Sequence, residues 1–309
     1  MALLFKSDVD RADAWSEALN KYSPELEVRV WPEEGAAEEI DYALVWKPPR
    51  GLLAGFPNLK AIFSLGAGID HLASDPELPA GVPVVRMVEP GLTAGMTEYV
   101  AMSVLLHHRR MLDYAAAQRD KMWAVLETPL AGSRRVGIMG LGVLGTDAAE
   151  TLAGLGFDVA GWSRSPKQVP GVESFHGAEG LQPFLARSEI LVCLLPLTPE
   201  TRGILDSKTM AMLPEGAVLI NAARGEMLVE DDLLRALGSG QIAGASLDVF
   251  NYEPPVPDHP FWEHPRIVMT PHCASITVPD TGARMVAENI RRLESGQSLE
   301  HVVDLAKGY

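Results

Sequence analysis

The stretch from Arg135 to Gly145, RVGIMGLGVLG, constrains this chain more than any other. Val136 to Met139 reads as a short buried strand, and Gly140-Leu141-Gly142-Val143-Leu144-Gly145 fits G-x-G-x-x-G. Behind it Ala148, Ala149, Leu152 and Leu155 recur at three- and four-residue spacing, which predicts a helix. Phe157 to Trp162 predicts a second strand. A glycine triplet alone is weak evidence, but strand, turn, helix and strand together are the context of a dinucleotide site. The first glycine permits the tight turn and the second lets the backbone approach a pyrophosphate. The third lets the helix pack close to the strand, so that its free N–H groups and positive dipole end meet the phosphates.

Which dinucleotide depends on the end of the second strand. An NAD site usually carries an acid there, accepting from the ribose hydroxyls. This chain reads Trp162-Ser163-Arg164-Ser165-Pro166-Lys167, and the nearby acid, Asp158, lies at the strand's beginning. The hydroxyls of Ser163 and Ser165, the Arg164 guanidinium and the Lys167 ammonium suit a 2′-phosphate through charge-assisted hydrogen bonds. NADP(H) is therefore the preferred cofactor, with NAD(H) possible.

Charge and cysteine usage narrow the class. With 26 basic and 41 acidic residues, the net charge of -15 argues against nucleic acid or an anionic membrane surface as partner. It leaves room for an anionic substrate, because a few arginines can dominate a cleft. Cys193 and Cys273 lie far apart, so the sequence predicts neither a disulfide framework nor a metal site. The start, MALLFKSDVD, is charged too early for a secretory signal, and no apolar run approaches the roughly 18 residues of a membrane span. A soluble, cytoplasmic protein is expected.

The 309 residues suffice for two domains. Strands are predicted at Ala2 to Phe5, Leu26 to Trp31, Tyr42 to Trp46, Ala61 to Leu65 and Val82 to Val88, with a helix over Ala12 to Leu19. One long helical pattern is predicted from Thr97 to Trp123. After Gly145, buried strands are predicted at Ile190 to Leu195, ending at Pro196, at Ala217 to Ile220, ending at Asn221, at Ala243 to Val249, and at Ile267 to Thr270, ending at Pro271. A last helix is predicted over Pro279 to Ser295. The expected fold is α/β, with two Rossmann-like parallel-sheet domains. The nucleotide domain, 98–275, would be inserted into a discontinuous substrate domain, 1–97 plus 276–309.

Functional residues in such sheets gather beyond the carboxyl ends of strands. Three charged candidates stand there: Arg224 after Asn221-Ala222-Ala223, Glu253 in DVFNYEP, and His272 after Thr270-Pro271. Reducing a 2-oxo acid needs a cation for the carboxylate and ketone, and arginine's planar fork supplies it. It also needs a proton donor for the alkoxide, and histidine titrates near neutrality. A carboxylate beside the imidazole would stabilise its protonated form and fix its tautomer, the role assigned to Glu253.

At this point the chain resembles the D-isomer-specific 2-hydroxyacid dehydrogenases, and within them the glyoxylate/hydroxypyruvate reductase A type. The matching pieces are SLGAGIDHL (64–72), GIMGLGVLG (137–145), LLPLTPETRGIL (194–205), INAARGEMLVEDDLLRAL (220–237), SLDVFNYEPP (246–255) and TPHCAS (270–275). The resemblance implies that Arg224 binds substrate, Glu253 pairs with the histidine and His272 is the acid/base. It implies that Asp248 and the Ala222 backbone position the nicotinamide. Leu195, Pro196, Thr201, Ala223 and Thr97 would join the glycine-loop residues Val143 and Leu144 around the cofactor. Leu65-Gly66-Ala67-Gly68 resembles the loop whose backbone N–H groups hold the substrate carboxylate, as glycine-rich nests of donors can. Trp46 resembles an aromatic that narrows the pocket. One departure is Cys273-Ala274 after His272, where many members carry a small aliphatic residue and glycine.

The expected activity is NADPH-dependent reduction of small 2-oxo acids, glyoxylate and hydroxypyruvate, to glycolate and D-glycerate. Its rivals are reduction of a bulkier 2-oxo acid and a non-enzymatic NAD(P)-sensing role. A homodimer is implied by the resemblance, with the 97–123 helix as the expected interface.

Overall fold

The computed structural model describes residues 1–305. In chain order, the first elements are β1 (Ala2–Lys6), α1 (Ala12–Tyr22), β2 (Glu27–Val30), β3 (Ile40–Val45), β4 (Ala61–Ser64), α2 (Asp70–Ala73), β5 (Val84–Val85), α3 (Pro90–His108) and α4 (Met111–Arg119). There follow β6 (Arg135–Met139), α5 (Val143–Gly154), β7 (Asp158–Ser163), β8 (Glu173–His176), α6 (Gly177–Arg187), β9 (Ile190–Cys193) and α7 (Ser207–Met212). The chain closes with β10 (Ala217–Asn221), α8 (Glu230–Ser239), β11 (Ile242–Leu247), β12 (Ile267–Met269) and α9 (Pro279–Glu294). Two compact units result. One comprises Met1–Leu92 with the chain from Ile276 onward, and the other Thr93–Ser275. Residues 93–97, grouped with the first domain on sequence, thus fall with the second unit.

The first unit is a five-stranded parallel sheet in the order β2-β1-β3-β4-β5. β1, β3, β4 and β5 are largely apolar because both faces are covered, as parallel sheets require, whereas the edge strand β2 (EVRV) is half charged and only partly buried. Leu3, Phe5, Tyr42, Leu44 and Phe63 face a core shared with Trp15 of α1 and with Ala283, Val286 and Ile290 of α9. Leu4, Ala43, Val45 and Ile62 face a second core with Leu53, Phe56 and Leu72. Of the strand predicted at Val82 to Val88, only Val84 and Val85 pair with β4. The reason lies across the chain. His301 O accepts from Arg86 N and Val84 O from Val303 N, so the C-terminal segment covers that edge.

The second unit is a seven-stranded parallel sheet, β12-β11-β10-β9-β6-β7-β8. The chain runs outward from β6 to β7 and β8, then returns to β9 on the other side of β6. That reversal opens a crevice beyond the carboxyl ends of β6 and β9, where doubly wound sheets bind ligands. Ala148, Ala149 and Leu152 bury one side of α5, whereas Leu155, included in the predicted stripe, is exposed beyond the helix. β8 (ESFH) was not anticipated, because an edge strand of mixed polarity carries no apolar alternation to detect.

The single helix predicted from 97 to 123 is two. α3 ends at His108, Arg110 takes a left-handed backbone (φ 56°), and α4 restarts at Met111. Asp113 in the first turn of α4 accepts from Arg110 Nε at 2.9 Å and from Arg266 NH1 at 2.5 Å. An acid in a first turn suits the positive end of the helix dipole, and apolar periodicity cannot register such a restart. No helix among the described residues is long and apolar enough to cross a membrane.

Candidate active site

The glycine loop leaves β6 with Gly140 N donating to Trp162 O at 2.9 Å. Its three glycines stand in different surroundings. Gly140 has φ +114°, and a Cβ there would come within 2.7 Å of the Leu194 carbonyl oxygen at the crevice. A Cβ on Gly145 would overlap the Gly140 carbonyl oxygen, so α5 could not pack where it does. Gly142 faces open space, with nothing within 4 Å of an added Cβ. Val143 and Leu144 open α5, so their amides belong to the unsatisfied first turn.

At the end of β7, Ser163 is buried and its hydroxyl donates to Ser165 O at 2.8 Å. Arg164, Ser165 and Lys167 beyond it are exposed. Asp158, at the other end of the strand, pairs with Arg187 at 2.6 Å. Arg164 also acts on Glu200, whose carboxyl is held below its ordinary range chiefly by the Thr198 hydroxyl, with a smaller pull from Arg164. Thr201 staples the loop after β9. Its hydroxyl donates to Pro196 O at 2.7 Å and accepts from Thr198 N at 2.8 Å. Leu195 is buried at the start of that loop. Thr97, on α3, is tied to α5 through Asp147 at 2.5 Å.

Arg224 follows β10 in a turn braced by Asn221, which is fully buried. The Asn221 side chain donates to Arg224 O at 3.0 Å and accepts from Ala223 N at 3.2 Å, a side-chain turn of the kind asparagine favours. Ala222 and Ala223 are buried within the turn. Gly225 lets it approach the next strand end, since a Cβ there would overlap the Phe250 carbonyl. The Arg224 guanidinium donates through NH1 to Ala223 O at 2.7 Å.

His272 and Glu253 come together across 19 residues of sequence. His272 Nδ1 lies 2.8 Å from Glu253 Oε2, while Phe250 N donates to Oε1 at 3.2 Å. An ionised carboxylate only accepts, so Nδ1 carries the proton of this bond and Nε2 is the ring nitrogen left to act. His272 is held at φ 53°, a conformation costly for a residue with a side chain and common where function over-determines the backbone.

Asp248 does the holding. It is 1% exposed, and its carboxylate accepts from Thr270 Oγ1 at 2.6 Å, Cys273 N at 2.9 Å and Ala274 N at 2.9 Å. Its carbonyl accepts from His272 N at 2.8 Å. Asp248, which the resemblance also implies for positioning the nicotinamide, thus has its carboxylate engaged with the histidine loop. Sequence reasoning also missed Asn221, Thr270 and Tyr99. An asparagine at a strand end before a tight turn is a readable signal, but Tyr99, 171 residues from its partner Thr270, leaves none. Partial desolvation and the Asp248 charge push the thiol of the exposed Cys273 up, and burial pushes the Cys193 thiol up to about 12, so neither is a poised nucleophile.

In the first unit, the 65–68 turn is closed by Ser64, whose hydroxyl accepts from Gly66 N at 3.2 Å and donates to Gly68 O at 3.1 Å. Leu65 N donates to Val45 O at 3.0 Å, and Thr277 Oγ1 donates to Leu65 O at 2.5 Å. Trp46 packs against the turn: a Cβ on Gly66 would meet its Cζ3 at 2.8 Å, and its ring centroid is 4.5 Å from that of His71.

A glycine loop after β6, an arginine after β10 and a carboxylate-backed histidine after β12 of one parallel sheet are the marks of a dehydrogenase. The chain belongs to the D-isomer-specific 2-hydroxyacid dehydrogenases, whose NAD-binding domain matches residues 101–274. It is 45% identical over its full length, and that of its relative, to glyoxylate/hydroxypyruvate reductase A of Serratia proteamaculans. Among solved structures, a D-isomer-specific 2-hydroxyacid dehydrogenase from Xanthobacter autotrophicus, in complex with NADPH and MES, superposes with a TM-score of 0.96 at 47% identity, covering 100% of this chain and 99% of that one. The NADPH-dependent glyoxylate/hydroxypyruvate reductase of Sinorhizobium meliloti, in complex with NADP and sulfate, gives 0.94 at 43% identity with the same coverage.

Proposed function

We propose that this chain is an NADPH-dependent reductase of small 2-oxo acids, with glyoxylate and hydroxypyruvate as substrates and glycolate and D-glycerate as products. The observation that carries the reading is the His272–Glu253 pair at 2.8 Å, standing with Arg224 on the strand ends beside the glycine loop. The relatives' names and the NADPH and NADP held by the two similar structures support it.

The residues fit the cofactor. Open space at Gly142 accepts a pyrophosphate, and exposed Arg164 and Lys167 with no acid at the end of β7 favour a 2′-phosphate. When bound, the nicotinamide supplies the hydride. Arg224 grips the substrate carboxylate and polarises the ketone, which orients the carbonyl for attack. His272 Nε2 delivers a proton to the forming alkoxide, and Glu253 stabilises the imidazolium beforehand. Asp248 keeps the histidine loop in its left-handed turn. We assign the Leu65-Gly66-Ala67-Gly68 loop to the substrate carboxylate and Trp46 to limiting the size of the substrate side chain, as the resemblance implies. We assign NADP binding to the domain read at 98–275, whose compact unit begins at Thr93, and substrate binding to the remainder, read as 1–97 with 276–309.

We infer a homodimer, with the 97–123 segment as its interface. Met111 is 52% exposed, Val125 92% and Trp123 fully exposed, an apolar surface that a second copy would cover. Free thiols at both Cys193 and Cys273 suit the reducing cytoplasm.

The test is steady-state oxidation of NADPH and NADH with glyoxylate, hydroxypyruvate and an aromatic 2-oxo acid. The expected result is strong preference for NADPH and for the two small acids. Arg224→Ala and His272→Ala should each abolish most turnover while leaving NADPH binding intact. Full activity in either variant overturns the assignment.

A further inference from the structure

We propose that Tyr99, on α3, is a positioning residue for the proton donor His272, acting through Thr270 and Asp248. The inference rests on the reading of His272 as the acid and goes beyond it by identifying what holds that acid in register. Tyr99 is 8% exposed, and its hydroxyl lies 2.9 Å from Thr270 Oγ1. Thr270 Oγ1 in turn lies 2.6 Å from Asp248 Oδ1.

The direction of this chain is fixed by proton counting. A carboxylate only accepts, so the single Thr270 hydroxyl proton points at Asp248. Toward Tyr99, Thr270 can then only accept, and Tyr99 must be the donor. Burial raises the Tyr99 hydroxyl above its ordinary value, helped by the Asp248 charge and outweighing the lowering by its hydrogen bonds to Thr270 and Ser103, so it stays protonated. The relay therefore persists across the working pH range with one polarity, Tyr99 to Thr270 to Asp248.

The same Asp248 oxygen that accepts from Thr270 also accepts from Cys273 N, at 2.9 Å, and the other accepts from Ala274 N at 2.9 Å. The loop carrying His272 is thus gripped on both flanks, and its left-handed residue lies between the grips. Rotation of Thr270 would loosen the first grip and let the imidazole swing on Glu253. The donated bond from Tyr99 is what fixes the Thr270 rotor. The titratable groups around the loop are Glu253, Asp248, Cys273 and Tyr99, with Arg224 carried two strand ends away on β10.

Full-length Tyr99→Phe, Thr270→Val, Thr270→Ser and the double Tyr99→Phe/Thr270→Val test the relay. In Tyr99→Phe, kcat with glyoxylate should fall about fivefold or more, as for loss of one buried hydrogen bond, with NADPH affinity within about twofold of the parent. The pH above which turnover declines should move down, because a looser imidazole is less well backed by Glu253. Thr270→Ser should recover most of what Thr270→Val loses. The double variant should be no slower than Thr270→Val alone, since both lie on one chain. Unchanged kcat and pH limb in Tyr99→Phe overturn the proposal. So do losses that multiply in the double variant, or a fall in melting temperature with the pH limb unmoved. NMR titration of the His272 imidazole in parent and Tyr99→Phe separates this failure from that of the functional reading. A titration altered by Tyr99→Phe, in a protein whose His272→Ala variant keeps full turnover, keeps the relay and discards the acid. An unaltered titration discards the relay whatever His272 does.

Discussion

Glu253 Oε2 stands 2.8 Å from His272 Nδ1, and Oε1 of the same carboxylate takes the Phe250 amide. The acid is thereby anchored to its own turn while it holds the imidazole. Glu253→Gln keeps the shape and removes the charge, and a glutamine can present its amide N–H to the ring, inviting the wrong tautomer. Turnover should fall about 10²-fold, within the range general acid catalysis contributes. The falling limb of the pH profile for reduction should move to lower pH, because a protonated ring loses its anionic partner. Profiles of kcat against pH for parent and variant check both, and an unmoved limb refutes the pairing.

Gly142 and Gly145 separate ligand clearance from packing. Gly145→Ala drives a methyl into the Gly140 carbonyl, so a loss of several kcal/mol of stability is expected. Gly142→Ala meets nothing within 4 Å, at a φ of -79° that alanine adopts readily. It should fold as the parent does yet bind NADPH about tenfold or more weaker. Urea melts beside fluorescence titration with NADPH distinguish the two.

Arg164 and Lys167 are exposed cations after a strand that ends without an acid. Replacing both with alanine should weaken NADPH binding by about tenfold to 10²-fold while leaving NADH nearly unchanged. The penalty should shrink at high salt, since exposed charges are screened. Equal losses for both cofactors would place these residues away from the 2′-phosphate.

His107, in the last turn of α3, bonds to Ser246 Oγ at 2.9 Å, and burial lowers its pKa to about 4. The unfolded chain therefore binds this proton first as pH falls. Stability from His107 is complete above its ordinary value near 6.5 and is lost progressively down to about 4, by up to about 3 kcal/mol. Urea midpoints at pH 7.5 and pH 5 should differ less in His107→Gln than in the parent. An equal drop in both would assign the acid sensitivity elsewhere.

The sequence by itself determined the parallel α/β class, the glycine crevice and the placing of Arg224, Glu253 and His272 on strand ends. Each depends on local spacing: a glycine turn between strand and helix, or a polar residue where an apolar strand stops. Most strand limits were legible to within one or two residues for the same reason. Only the tertiary structure decided the rest. It broke the 97–123 helix at Arg110, shortened the strand at Val84–Val85 under the C-terminal segment, and added β8 at the sheet's edge. It also brought Tyr99, Thr270 and Asp248 into one chain of hydrogen bonds behind His272. Those bonds join residues up to 171 positions apart, and no periodicity encodes such a meeting. A buried donor and acceptor must find each other once the sheet has formed, and which ones do so is settled by packing.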